Sequence, residues 1–111
     1  MFKLINERDA PPVADQPTVA VKSWRVMQAV NGDRHLLTIL ESGPVRITSA
    51  LCSFDPVRAE LTTQSGRRYE LVEPPETQPL QLALLHANAQ RAGLLDAMDI
   101  SDSIWQLVVK Q

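Results

Sequence analysis

The stretch TVAVKSWRVMQAVNGD, residues 18–33, decides how the fold is read. Val19 and Val21 fall on one side of an extended chain; Trp24, Val26 and Val30 fall on the other. Side chains of a strand alternate strictly between faces. A change of apolar side at Lys22–Ser23 therefore predicts a bulge or a bend there. Asn31-Gly32-Asp33 then predicts a hairpin, because both residues of an Asn-Gly pair tolerate positive φ.

Outward from this stretch the pattern repeats. A second strand runs from about Arg34 to Glu41, with Leu36 and Leu40 on one parity and Leu37 and Ile39 on the other. Apolar residues on both parities predict burial on both faces. Ser42-Gly43-Pro44 ends it. A third strand runs from about Val45 to Phe54, with Val45, Ile47 and Leu51 alternating with Arg46, Thr48, Ala50 and Cys52, and Asp55-Pro56 supplies the next turn. A fourth strand is read over Val57 to Thr63 and a fifth over Arg67 to Glu73, with Gln64-Ser65-Gly66 between them. Tight turns between successive strands, with no helix interposed, predict an antiparallel meander.

Pro74-Pro75 ends the sheet. Thr77 is the expected N-cap and Pro79 a first-turn proline. Leu82, Leu85, Ala89 and Ala92 keep helical spacing, which predicts a helix over Leu80 to Ala92, with Gly93 as its C′ residue and Leu94 as the apolar contact after it. Residues 95–102 read as a loop or a short turn of helix. The β-branched content of 103–109 favours a strand; a short helix capped at Ser101 or Asp102 competes with it. The expected fold is thus α+β: a curled antiparallel meander of five to six strands, partly closed into a barrel at the limit, with one helix in the C-terminal half packed on it. Residues 1–17 hold Pro11, Pro12 and Pro17 and few large apolar side chains past Ile5. They are expected to be a flexible lead-in to a single domain over 18–111, with Phe2, Leu4 and Ile5 either docking as a short edge strand or staying loose.

Composition narrows the chemistry. The chain has 111 residues, 44% of them hydrophobic and 22% charged, and a net charge of -2. That charge gives no bulk attraction to nucleic acid or anionic lipid, so neither a nucleic acid nor a membrane is an expected partner. Cys52 is the lone cysteine, which excludes an intrachain disulfide. The absence of a long apolar run and of a signal-peptide pattern leads to a cytoplasmic expectation. No glycine-rich phosphate loop is present, and no cofactor is expected.

Each candidate site has a plainer explanation beside it. Cys52 lies mid-strand with no neighbouring cation, as a small buried or half-buried core thiol would. His35 and His86 have no partner in the adjacent sequence, and together with Cys52 they lack zinc-ligand spacing. Asp96, Asp99 and Asp102 suit a hard cation by chemistry but not by spacing; loop solvation and helix capping explain them. Arg46, Arg58, Arg67 and Arg68, with Tyr69 nearby, suit phosphates or stacked bases, yet Glu60, Glu70 and Glu73 lie on the same strands and fit cross-strand ion pairs. Trp24 and Trp105 are the largest anchors, for a core or for a binding face.

Trp24-Arg25, Thr48-Ser49 and the run Thr63-Gln64-Ser65-Gly66-Arg67-Arg68-Tyr69-Glu70-Leu71 carry a resemblance. They are similar to a pattern in small uncharacterised bacterial proteins, some from prophage or other mobile regions. Its most distinctive part is the T-x-S-G-x-x-Y-x-L hairpin. The resemblance spans about Ser23 to Pro75 and implies a bacterial cytoplasmic accessory protein; it carries over neither an activity nor site residues. The functional expectation is therefore a non-enzymatic protein-binding module, of inhibitor or immunity type or a homodimer. Its candidate contacts are Trp24, Trp105, Arg58, Arg67, Arg68 and Tyr69. A nucleic-acid or nucleotide binder using the arginine hairpin is the first alternative, and a small hydrolase or transferase on His35 or Cys52 the second.

Overall fold

The computed structural model of the chain describes residues 4–6, 10–94 and 96–109. They run β1 (Leu4–Asn6), β2 (Thr18–Val21), β3 (Ser23–Gln28), β4 (Arg34–Ile39), β5 (Val45–Ile47), β6 (Leu51–Asp55), β7 (Glu60–Thr63), β8 (Arg68–Leu71), α1 (Pro79–Arg91), β9 (Met98–Asp99) and α2 (Ser101–Gln106). One sheet has the order β1-β5-β4-β3-β9 and the other β2-β8-β7-β6. β1 lies parallel to β5 and β2 parallel to β8; the remaining pairs are antiparallel.

The α+β class and its antiparallel strands agree with the sequence. The single curled meander under one helix does not form. Two open sheets and two helices replace it, and neither sheet closes into a barrel. The physical reason lies at two crossings. At Lys22, the expected bend, the chain leaves one sheet (β2) and enters the other (β3). The expected third strand also breaks. Thr48 closes β5 against Leu36, its N–H donating to the Leu36 carbonyl and its hydroxyl accepting the Leu36 N–H. Ala50 then accepts from Gln64 in the second sheet. What looks like one strand along the chain is two strands in different layers.

The two-faced burial read from β4 explains the layering. Leu36 points into a core with Val21, Trp24, Val26, Leu61, Tyr69, Leu71 and Ile104, between the sheets. Leu37 points the other way, with Met27, Val45 and Ile47, onto Leu85 and Ala89 of α1. The first sheet is thus buried on both faces, by the second sheet and by α1.

α1 starts one residue earlier than expected and ends where Gly93 and Leu94 predict. Gly93 N–H donates to Gln90 O, Leu94 N–H donates to Ala89 O, and Leu94 packs on the α1-facing core. This is the paired C-terminal cap whose apolar contact the sequence shows. At its N-terminus the cap position is Gln78, not Thr77, and its side chain makes no cap bond. Instead the Glu76 carboxylate accepts from the Thr77 and Gln78 N–H groups, both at 3.1 Å. Residues 101–106 are helical, against the favoured strand. The helix seats Ile104 in the core between the sheets and lays Trp105 on Trp24, ring centroids 6.2 Å apart.

The expected lead-in has contacts. β1 docks on β5, Pro12 O accepts from the Asp15 and Gln16 N–H groups, and Arg67 Nη2 donates to Pro11 O. The expectation for residues 1–3 and 7–9 lies outside the described residues.

The hairpin loops depart from the two-residue Asn-Gly form. Ala29 N–H donates to Asp33 O and Gly32 N–H to Ala29 O, and of Asn31 and Gly32 only the glycine has positive φ. The β4–β5 and β7–β8 loops repeat this pattern around Gly43 and Gly66. It is the longer hairpin loop that ends in a left-handed residue. At Gly66 φ is +93°, and an added Cβ would meet nothing within 4 Å. Gly66→Ala is therefore a pure backbone test, expected to lose about 1 kcal/mol in urea unfolding from strain at positive φ. No loss would mean that the loop relaxes to another turn.

Candidate functional site

The densest polar cluster joins elements far apart in the sequence. Arg25, on β3, donates through Nε (3.0 Å) and Nη2 (2.6 Å) to the Glu76 carbonyl. Its Nη1 reaches Asp99 Oδ1 at 3.5 Å and Asp102 Oδ1 at 3.7 Å. Asp99, on β9, accepts from Ser101 N–H at 3.0 Å and from Ser101 Oγ at 2.5 Å, and its other oxygen accepts from His86 Nε2, on α1, at 2.8 Å. Ser23 Oγ donates to Glu76 Oε1 at 2.5 Å, and Trp24 Nε1 donates to Glu73 O at 2.9 Å. The segment 73–78 is thus clamped to β3 side chain by side chain.

Two carboxyls respond to this setting. Burial alone would push the Asp99 carboxyl up. The Ser101 hydroxyl, the His86 ring, the Ser101 N–H and the Arg25 charge together outweigh it and hold the group below the ordinary carboxylate range. For Glu76, burial is likewise overcome, here by Ser23, the Gln78 and Thr77 N–H groups and Arg25.

Beside His86 lies a cleft of about 560 Å³, bordered by Met27, Ala89, Gln90, Leu94 and Asp99 among others. An imidazole oriented by a carboxylate is the form a positioned base takes. Ser101, however, is fully buried and its hydroxyl sits on the carboxylate rather than on the imidazole. In a serine–histidine–acid relay the imidazole is the middle member; here the carboxylate is. What the arrangement does visibly is tie α1 to β9 and the start of α2.

The candidate residues scatter. Trp24 is 0% exposed and Trp105 half-buried. Arg67 and Tyr69 point inward and are buried, whereas Arg58 and Arg68 point outward beside Asp55 (3.9 Å) and Glu60 (4.0 Å). The hairpin therefore presents no continuous arginine face. The expected core thiol is corrected: Cys52 is exposed on β6, its Sγ 3.4 Å from Thr63 O. β6 is an edge strand with a register shift between Leu51 and Ser53, so its side chains do not follow the inward alternation that the sequence suggests. His35 bonds to Thr48 O through Nδ1 at 2.9 Å, and no hydrogen bond joins it to Cys52. Asp96, Asp99 and Asp102 do not converge; among the described residues no three acidic, histidine or cysteine side chains form a metal-holding group.

Sequence reasoning missed Arg25, Glu76 and the His86–Asp99 pair as a unit. Asp99 two residues before Ser101 is a local signal of its capping bond, but nothing local ties either to Arg25, some seventy positions earlier. No helix among the described residues is long and apolar enough to cross a membrane. No family model matches the chain, and no curated protein or solved structure matches it.

Proposed function

We propose that the protein is a non-enzymatic interaction module whose docking element is β6 and whose occupant is β6 of a second copy. The observation that carries this reading is an open strand edge beside exposed apolar side chains. Among the described residues β6 pairs with β7 alone. Leu107, 63% exposed, borders a small hollow of about 140 Å³ with Leu51, Cys52, Ser53 and Phe54. Val109 N–H bonds to Pro56 O, which brings Val109 beside Val57, and both are at least half exposed. An unpaired edge with an apolar border is the surface that strand addition uses.

Charge favours a second copy. Arg34 borders the same hollow and has no carboxylate within ion-pair distance among the described residues. Asp55 closes the far end of β6. Antiparallel pairing about Ser53 sets the Asp55 end of each copy against the partner's Leu51 end, on the Arg34 side. Opposite charges then meet twice across one two-fold axis.

Light scattering of the purified chain is expected to show a concentration-dependent dimer, and Leu107→Asp is expected to weaken it at least tenfold. Spin labels on the single Cys52 of each copy are expected within roughly 20 Å of each other, because antiparallel pairing about Ser53 leaves Cys52 and its counterpart diagonal neighbours. A chain that stays monomeric at its highest soluble concentration, or dimers whose labels lie far apart, would overturn the reading.

A further inference from the structure

Arg46, at the centre of β5, is 4% exposed. Its register with Thr38, and that of Thr38 with Trp24, put all three side chains on the face turned to the second sheet. There its Nη1 donates to Gln16 Oε1 at 3.1 Å and lies 3.4 Å from Tyr69 Oη. Both partners are uncharged as a rule at neutral pH. Nε is buried and makes no hydrogen bond, and no carboxylate of the described residues lies within ion-pair distance. The contrast with Arg25, which has Asp99 and Asp102 beside it, is plain. A buried guanidinium without a counter-charge is a costly arrangement.

The same side chain borders a cleft of about 590 Å³ between β2 and the β4–β5 hairpin. Val19, Val21 and Leu40 give it apolar walls, and Lys22 and Glu41, 4.0 Å apart, lie at the exposed rim. Among the described residues Nε and Nη2 of Arg46 have no hydrogen-bond partner, and Nη2, which is not enclosed as Nε is, can donate to a carboxylate oxygen.

We propose that this cleft binds a small organic carboxylate with an apolar body, its carboxylate held by the guanidinium of Arg46 through Nη2 and its body between β2 and β4. The bound anion supplies the counter-charge that the described residues do not. β2 and β6 are opposite edges of their sheet, so this site is separate from the proposed docking edge.

Octanoate is a suitable probe, with octanamide as its uncharged control and inorganic phosphate as an anion without a tail. In NMR titration of the full chain, octanoate is expected to shift the Arg46 Nε–H signal and the backbone signals of Ala20 and Leu40, and octanamide to leave them in place. Phosphate is expected to bind at least tenfold more weakly than octanoate. Arg46→Lys keeps the charge but loses the fork, with an expected loss of at least tenfold in affinity. Arg46→Met removes binding, and it is expected to melt no lower than the wild type because it removes an uncompensated buried charge. Should Arg46→Met fail to fold, the octanoate and octanamide titrations of the wild type decide alone. Equal shifts from octanoate and octanamide, no shift from either, or octanoate binding undiminished in Arg46→Met would overturn the proposal. Phosphate binding as tight as octanoate would overturn its apolar part.

Discussion

Trp24→Ala is expected to bring the chain close to unfolding, with a loss of about 3–5 kcal/mol in urea denaturation. Three separate contributions meet in this side chain. It is fully buried between the sheets and lies in the core that joins β2, β3, β7, β8 and α2. Its ring is tilted 56° to that of Trp105, an arrangement that stabilises beyond area burial. Its indole N–H holds the Glu73 carbonyl, fixing the exit from β8. Trp24→Phe separates these contributions: it retains most of the packing and loses the hydrogen bond, for an expected loss of roughly half as much. The same alanine substitution at Trp105, half-buried, is expected to cost less than at Trp24. A Trp24→Ala variant as stable as the wild type would mean that the two sheets are not held together through this core.

The second large effect is at Asp99. Asp99→Asn is expected to lose about 2–3 kcal/mol at neutral pH, because Arg25 keeps its charge while its nearest carboxylate, part-buried, is removed, and the Ser101 and His86 donors face a weaker acceptor. The pH dependence carries a definite sign. The folded-state pKa of Asp99 is depressed, so on acidification the unfolded chain takes up the proton first. The stabilisation is fully present above the unfolded value of about 3.9 and fades as pH falls through it toward the lower folded value. Glu76 is depressed as well and adds to the same acid limb. Wild-type unfolding free energy is thus expected to be level in this respect above about pH 5 and to fall steadily below it. Asp99→Asn is expected to show a shallower acid limb, from Glu76 and the other acids. Equal acid limbs in the two proteins would show that Asp99 ionises alike folded and unfolded.

What the sequence made legible was what local chemistry controls. Leu36 and Leu37, adjacent and both apolar, correctly marked a strand covered on two sides. Gly93-Leu94 marked the end of α1 through a cap whose donors and acceptors lie within five residues. Gly32, Gly43 and Gly66 marked the turns. The partners of the edge strands were not legible, because Leu4 on Val45 and Thr18 on Arg68 are parallel matches with no connecting hairpin. The division of the arginines was half legible. Strand alternation separates Arg67 and Tyr69 from Arg68, but only the position of β5 shows that Tyr69 meets Arg46. Seven residues of Ser103–Val109 were too few to distinguish strand from helix by period, and the choice fell to packing of Ile104 and Trp105. The His86–Asp99 contact needed the finished arrangement of α1 against β9.

The parallel pairing of β2 with β8 has a consequence for synthesis. Thr18–Val21 leaves the ribosome long before Arg68–Leu71, its neighbour in the sheet. Until that later segment has been made, Val19 and Val21 have no strand to lie beside, and Trp24 has no Glu73 carbonyl for its indole. Pairings this distant along the chain form slowly, since the intervening loop must close before any contact rewards it. A nascent chain stalled short of Arg68 should therefore be bound by chaperones that recognise exposed apolar segments, and a chain released past Leu71 should escape them.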